Sequence, residues 1–402
     1  MKILIITYLF DPEPIVMSTI TKDLAIELSN GHQVTVLTSR PCRPYGFKFD
    51  GKTLYDPSWS FRRIVMDTYT NPESNFIGRW KENISFGKGA VSYIENHTED
   101  IDLIYICAFP LFAQKMIIKC AKKYGIPVVN HIEDIYPEPF EQKIPYVGGL
   151  VFKLLLPIDK WVVKNATVSV VIGKKIKEYF VNTRKVSPGK IDVVYNWQDE
   201  SRYREPLERD SNEPFTFMYV GSISRAANLH LVLKAFIKAK MPNARLVFAG
   251  SGNELEALKT EAEGHPEIVF GSAQAETIGE VQSKADVLIL PLLPSVALRA
   301  VPSKTAAYLF SHKPVLACVE KESDVADIIC DGDCGWIASP SDINDIASQM
   351  KAIAQLPLEQ LRAMGERGYE YSQKNLTKKV NLERLANIVV GCKKREYENN
   401  HI

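Results

Sequence analysis

The sequence predicts an α/β protein made of two Rossmann-like domains, each a parallel sheet flanked by helices. Three observations lead there. Short apolar runs rich in β-branched residues alternate with amphipathic segments, the pattern of βαβ units. The alternation occurs twice. Between the two series lies QDESRYREPLERDSNE, residues 198–213, polar and almost free of large apolar side chains, which reads as a linker.

In chain order, the first series of predicted strands is KILIIT (2–7), QVTVLT (33–38), DLIYIC (102–107), PVVNHI (127–132), VSVVI (168–172) and IDVVYN (191–196). Nearly continuous apolar runs of this length suit strands covered on both faces. The second series is FTFMYVG (215–221), RLVFAG (245–250), EIVFG (267–271), DVLILP (286–291) and PVLACV (314–319). Among the helices, 228–240 and 341–355 place apolar residues at three- and four-residue spacing. The predicted domains are 1–197 and 198–377, with a C-terminal helix, 378–396, returning to the first.

Composition narrows the function classes. The 402 residues are 46% hydrophobic and 24% charged, with net charge +1, so no global field recruits nucleic acid. The N-terminal MKILIITYLF is too short to span a bilayer, lacks a small-residue cleavage site, and reads as a buried strand. Seven scattered cysteines, mostly inside apolar runs, suggest a reducing cytosol. Cys330 and Cys334 lie four apart, but no second pair or nearby histidine completes a zinc tetrad, so packing or loop thiols are the reading. Asp331 and Asp333 read as turn residues. No metal is expected.

In open α/β sheets ligands collect beyond the carboxyl ends of the strands, and chemistry-bearing residues concentrate there. Tyr8 to Ser18 follow the first strand. His131, Glu133 and Asp134 stand at the end of the fourth, where alternation puts His131 and Glu133 on one face and Asp134 beyond them. Adjacent carboxylates there are costly unless functional or hydrogen-bonded, so acid–base work and a structural cap both stand. Gly221 and Ser222 end FTFMYVG, and Arg225 follows in the same loop as a second candidate cation. Gly250, Ser251 and Gly252 open a helix, but Leu255 stands where a dinucleotide fingerprint needs a third glycine. That turn is either structural or lets a base and ribose approach the backbone.

The stretch VPSKTAAYLFSHKPVLA, 301–317, is an apolar helix running into a strand, yet it begins with Ser303, Lys304 and Thr305. A helix N-terminus is a natural diphosphate site, and these residues add two hydroxyls and an ammonium facing solvent. The plainer reading makes Ser303 an N-cap and Lys304 a solvated first-turn residue.

The segments YNWQD (195–199), YVGSIS (219–224), RLVFAGSG (245–252), ADVLILPL (285–292) and VPSKTAAYLFSHKPVLA resemble, in order and spacing, the retaining family 4 glycosyltransferases of the GT-B fold. The resemblance extends through MKILIITYLFDPEP, GHQVTVLT (31–38) and GIPVVNHIEDIYPE (125–138), covering most of the chain, and is similar to the bacterial fucosamine-transferase branch that builds capsule and O-antigen units. It implies two domains facing across a cleft and a nucleotide-sugar donor, UDP-sugar by preference, as substrate rather than cofactor. The acceptor would be a saccharide or polyprenyl-linked molecule. It assigns the diphosphate to Ser303, Lys304, Thr305, Ser222 and Arg225, the nucleotide to Gly250, Ser251, Gly252 and Ser272, and the sugar to Leu298, Arg299, Ala300 and Val301. Glu13, Met17 and Ser18 fall on the acceptor loop, and Asp134 matches the family's aspartate in DIYP. Two glutamates common in the family, eight residues apart, are replaced by Arg299 and Ala307, which motivates a non-catalytic partner subunit as a rival reading; a nucleotide-sugar epimerase, using the same cleft on the donor alone, is the other. Finally, GGLVFKLLLPIDKWVVKN (148–165), with Lys153, Lys160 and Lys164, and GKKIKEYF (173–180) suit either burial against the sheet or an anionic membrane surface.

Overall fold

The computed structural model describes residues 1–43, 56–71, 75–107, 110–138, 140, 148–203, 213–274 and 277–399. Two compact units emerge, Met1–Tyr195 with Leu382–Ile402, and Asn196–Asn381. Residues 204–212 of the predicted linker lie outside the described residues; its start forms a single turn of 3-10 helix, Glu200–Arg202.

The first unit carries a seven-stranded parallel sheet of β1 (Lys2–Thr7), β2 (Gln33–Thr38), β3 (Arg62–Val65), β4 (Leu103–Cys107), β5 (Val128–Ile132), β6 (Val168–Val171) and β7 (Ile191–Val193), ordered β3-β2-β1-β4-β5-β6-β7. The second has six parallel strands, β8 (Phe215–Val220), β9 (Ala244–Ala249), β10 (Ile268–Gly271), β11 (Val287–Pro291), β12 (Val315–Cys318) and β13 (Gly335–Ala338), ordered β10-β9-β8-β11-β12-β13. Both are Rossmann-like. In β4, β8 and β11 every residue is buried, which is why their sequences are apolar runs, broken only by Thr216 in β8.

β3 and β13 were not predicted. Both are edge strands with mostly half-exposed residues, so RRIV and GWIA lack the apolar run that marks a central strand. The predicted amphipathic helices form over Leu229–Ala239 and Ile343–Ile353, the second capped by Asp342, whose carboxylate accepts from the amides of Asn344 and Asp345. Val232, Leu233 and Phe236 of the first pack with Phe217, Leu246 and Phe248 to form the second unit's core. The C-terminal helix spans Lys378–Asn399; Leu385, Val389 and Cys392 are buried, and Lys393 pairs with Asp102 at 3.0 Å.

In each sheet the strand order reverses once, between β1 and β4 and between β8 and β11. Connections leave in opposite directions there, opening a crevice at the carboxyl edge. The candidate residues gather at these two places.

Candidate active-site residues in each unit

In the first unit a pocket of about 280 Å³ opens at that edge, lined by Leu9 after β1, Met17, Cys107 at the end of β4, and His131, Glu133 and Asp134 at the end of β5. The three residues predicted from NHIED are thus brought together. They differ in burial: His131 is 2% exposed, Glu133 half-buried and Asp134 exposed. Tyr105 Oη lies 2.6 Å from His131 Nδ1, and Glu133 Oε1 lies 3.3 Å from Nε2. Burial pushes the imidazole down to about 4, so His131 is neutral near pH 7.

The backbone that carries Asp134 is fastened by a buried ion network invisible to the sequence reading. Arg184, 1% exposed, donates from Nε to Asp159 at 2.6 Å, pairs with Glu138 at 2.7 Å, and donates to the Tyr136 carbonyl at 3.0 Å. Tyr179 also donates to Glu138, at 2.6 Å. Asp159 lines the pocket, and its carboxyl is raised to about 6 by burial against the opposing pull of Arg184. Arg184 ends the basic helix Lys174–Arg184, where neighbouring lysines make it look like one more surface cation.

The acceptor-loop residues separate. Met17 lines the pocket. Glu13 is 4% exposed, and its carboxylate accepts from the amides of Phe10, Cys42 and Arg43 at 3.1, 2.9 and 3.0 Å, so it staples two loops instead of presenting oxygens to a ligand. Ser18 is buried within the helix Val16–Ser29 and does not line the pocket.

In the second unit the surprise is Lys304. Its ammonium was expected to face solvent; instead Nζ donates to Tyr219 Oη at 2.8 Å and lies 4.9 Å from the centre of the same ring. Tyr219 in turn donates to the Ser222 carbonyl at 2.5 Å. The lysine stem lies over Gly221, where a Cβ would meet Lys304 Cε at 2.2 Å. Burial lowers this ammonium to about 8 from its ordinary 10.5, and no carboxylate answers it among the described residues.

The helix behind it, Lys304–Phe310, is only seven residues long, and Ala306, Ala307, Tyr308, Leu309 and Phe310 are buried. Tyr308 pins it to the end of β8, accepting from the Val220 amide and donating to the Val220 carbonyl, both at 3.0 Å. Two expectations change here. Ser303 makes no side-chain cap bond, and Thr305 is 1% exposed, its hydroxyl buried without a hydrogen-bond partner among the described residues. Thr305 therefore does not present a donor to solvent.

The GSG turn has a structural reason for its glycines. A Cβ on Gly250, whose φ is +152°, would fall 1.9 Å from the Gly221 carbonyl oxygen, and one on Gly252 1.9 Å from that of Ile223. Gly221 N–H donates to Ala249 and Ile223 N–H to Ser251, joining the two loops backbone to backbone. Ser222, Arg225, Ser251 and Ser272 are exposed beside them, and Leu298, Arg299, Ala300 and Val301 are half-buried. Asp331 ends a helix, and Asp333 pairs with Arg367 at 2.9 Å, both away from Lys304 in the sheet order.

The helix Gly148–Asn165 is buried on one face and exposed on another. Leu155, Val162 and Val163 are buried, while Leu150 and Leu154, one turn apart, are 62% and 65% exposed beside exposed Lys153. No helix among the described residues is long and apolar enough to cross a membrane.

Two Rossmann-like parallel-sheet units, each with its polar loops at the strand-order reversal, follow the plan of the GT-B fold. Solved structures share the plan: sucrose-phosphate synthase of Thermosynechococcus elongatus, 15% identical, matches over 96% of this chain and 98% of its own at TM-score 0.71. HepE of Anabaena, solved in complex with UDP, matches at 14% identity over 97% of this chain and all of its own at TM-score 0.68, and WaaG, a glycosyltransferase involved in lipopolysaccharide biosynthesis, at 15% over 97% and 100% with TM-score 0.66. Residues 17–202 match the Glycosyltransferase Family 4 family and residues 199–371 match Glycosyl transferases group 1, and the chain is a glycosyltransferase. A curated relative, the probable glycosyltransferase WbjE of Pseudomonas aeruginosa, is 23% identical over 65% of this chain and 68% of its own. The sulfoquinovosyl transferase SQD2 of Arabidopsis thaliana is 27% identical over 34% of this chain, which spans only 26% of that protein.

Proposed function

We propose that this glycosyltransferase takes a sugar from a UDP-sugar and transfers it, with retention of configuration, to a saccharide or polyprenyl-linked acceptor in bacterial surface polysaccharide synthesis. The observation that carries the donor half is Lys304, a desolvated ammonium at the carboxyl edge of the second sheet, hydrogen-bonded to a phenol and lacking a carboxylate partner among the described residues. Such a group is a ready-made counter-ion for a diphosphate. HepE, which shares the fold, binds UDP, and this supports the choice of nucleotide.

In the transfer, the bond between the anomeric carbon and the diphosphate oxygen breaks while the acceptor oxygen bonds to the same face of that carbon. The nucleoside diphosphate leaves, stabilised by Lys304, exposed Arg225 and the loop at Ser222. Asp134, exposed at the pocket of the first unit, orients the acceptor hydroxyl and takes its proton. Charge stabilisation and alignment do the catalysis, and no metal takes part in this scheme. The exposed Leu150, Leu154 and Lys153 suit contact with an anionic membrane, which would hold the enzyme at the cytoplasmic face beside a lipid-linked acceptor.

The test is a thermal-shift series with UDP, GDP and their sugars, followed by product analysis with and without acceptor. UDP should raise the melting temperature more than uridine does, since a ligand of the native state stabilises it. Altered donor without acceptor would identify an epimerase, and an absence of stabilisation by any nucleoside diphosphate would refute the donor site.

A further inference from the structure

β4 and β5 run side by side in parallel, with Tyr105 opposite Val129 and Ile106 opposite Asn130. Their carboxyl ends therefore bring Cys107 and His131 to the same place, and the chain leaving β5 adds Glu133. One ligand atom from each of these three lies within 4.8 Å of the other two. Ligands of a tetrahedral zinc, bonded at about 2.0 to 2.3 Å, sit about 3.5 Å apart, so the set is close to a coordination sphere before any ion arrives.

A second observation points to a cation. His131 is 2% exposed, and its Nε2 has no hydrogen-bond partner among the described residues, although Glu133 Oε1 stands 3.3 Å away. The other ring nitrogen is engaged by Tyr105 at 2.6 Å. In the tautomer that carries its proton on Nδ1 and donates it to that phenol, the Nε2 lone pair faces a carboxylate oxygen, an arrangement that a positive ion between them resolves. A hydrogen bond on the far nitrogen is also what fixes a metal-binding imidazole in orientation. Met17 Sδ, 3.9 Å from Cys107 Sγ, places a further soft atom beside the set.

We propose that Cys107, His131 and Glu133 bind a zinc ion at the floor of the first unit's pocket, leaving one position open to the cavity. The Cys107 thiol gives its proton to solvent as the thiolate bonds to zinc, and nothing is oxidised or reduced. If the pocket takes the acceptor, as proposed above, zinc competes with it; the binding itself does not rest on that reading.

The experiment titrates the metal-free full chain with Zn²⁺ against a chromophoric chelator, and with Co²⁺ while recording absorbance. One equivalent of Zn²⁺ should bind, and the Co²⁺ form should show the near-ultraviolet charge-transfer band of a cobalt thiolate. Cys107→Ser should remove that band, and Glu133→Gln should weaken Zn²⁺ binding by about 10-fold or more while keeping it. Cys330→Ser, which removes the exposed thiol, should change neither. No stoichiometric binding, a band that survives Cys107→Ser, or one lost in Cys330→Ser overturns the proposal. Glu133 is half-buried, so its variant keeps the test open if Cys107→Ser fails to fold. Because the readouts are absorbance and affinity, they stand whether or not UDP binds.

Discussion

Replacing Lys304 by methionine should make the ligand-free chain more stable while weakening its hold on UDP. Methionine keeps an unbranched apolar stem over Gly221 and the Tyr219 ring but removes the charge. A fall from 10.5 to about 8 means that, near pH 7, folding disfavours the charged form by about 3 kcal/mol. Losing the hydrogen bond to Tyr219 returns about 1 kcal/mol of that. The variant should therefore gain about 1 to 2 kcal/mol in a urea melt of the free protein. The sign with pH follows from proton counting: between pH 8 and 10.5 the unfolded chain still holds this proton and the folded chain does not, so wild-type stability rises with pH and the advantage of methionine fades. Binding behaves oppositely. A charge-assisted hydrogen bond contributes roughly 1.5 to 3 kcal/mol, so UDP should bind Lys304→Met about 10- to 100-fold more weakly, with uridine nearly unaffected. In the wild type, UDP affinity should decline above pH 8, up to 10-fold per pH unit, as the ammonium must be reprotonated. Calorimetric titration with UDP and uridine across pH 6 to 10 measures the affinities, and urea melts over the same range measure the stabilities. A destabilised variant with unchanged UDP affinity would make Lys304 a structural strut and refute the argument.

Other perturbations separate the remaining roles. Asp134→Asn should lower turnover by roughly 10²-fold or more with UDP affinity intact; unchanged turnover would reduce Asp134 to a loop residue. Transfer should survive EDTA, because the leaving group is assigned to Lys304 and its neighbours; loss of activity restored by Mg²⁺ or Mn²⁺ would place an ion at the diphosphate. Arg184→Ala strands Glu138 and Asp159 in the interior and should cost about 3 to 5 kcal/mol in a denaturant melt, against a near-neutral result if the network were solvated. Gly250→Ala should drive a methyl into the Gly221 carbonyl and reduce both stability and UDP affinity, whereas wild-type behaviour would show that the two loops can part.

The two sheets were legible because central strands of parallel sheets must be apolar on both faces, and nine of the eleven predicted runs are such strands, the edges β7 and β10 carrying enough apolar residues to join them. β3 and β13 escaped because an edge strand needs no such run. Among site residues, NHIED could be read because acidic groups next to a buried strand demand a reason. Lys304 was located, but its environment was misjudged: sequence reveals that a lysine opens a helix, not that Tyr219, 85 positions earlier, lies within 2.8 Å of it. Cys107 was hidden by chemistry, since a thiol in LIYIC reads as one more apolar side chain until β5 sets an imidazole beside it. Glu13 misled in the opposite direction, a carboxylate in a ligand-facing loop whose oxygens are occupied by backbone amides.

The Arg184 network fastens the segment after β5 by two points that lie beyond its reactive residues, the Tyr136 carbonyl and the Glu138 carboxylate. Neither anchor is a side chain at 133 or 134, and the intervening Ile135 is buried in the core. The backbone between strand and clamp is thus held beyond its reactive positions: substitutions at Glu133 and Asp134 alter what the pocket offers an incoming molecule without removing the anchors that display it. Lost activity in a Glu133 or Asp134 variant therefore reports lost chemistry rather than a released loop, provided Arg184, Asp159 and Glu138 are held constant.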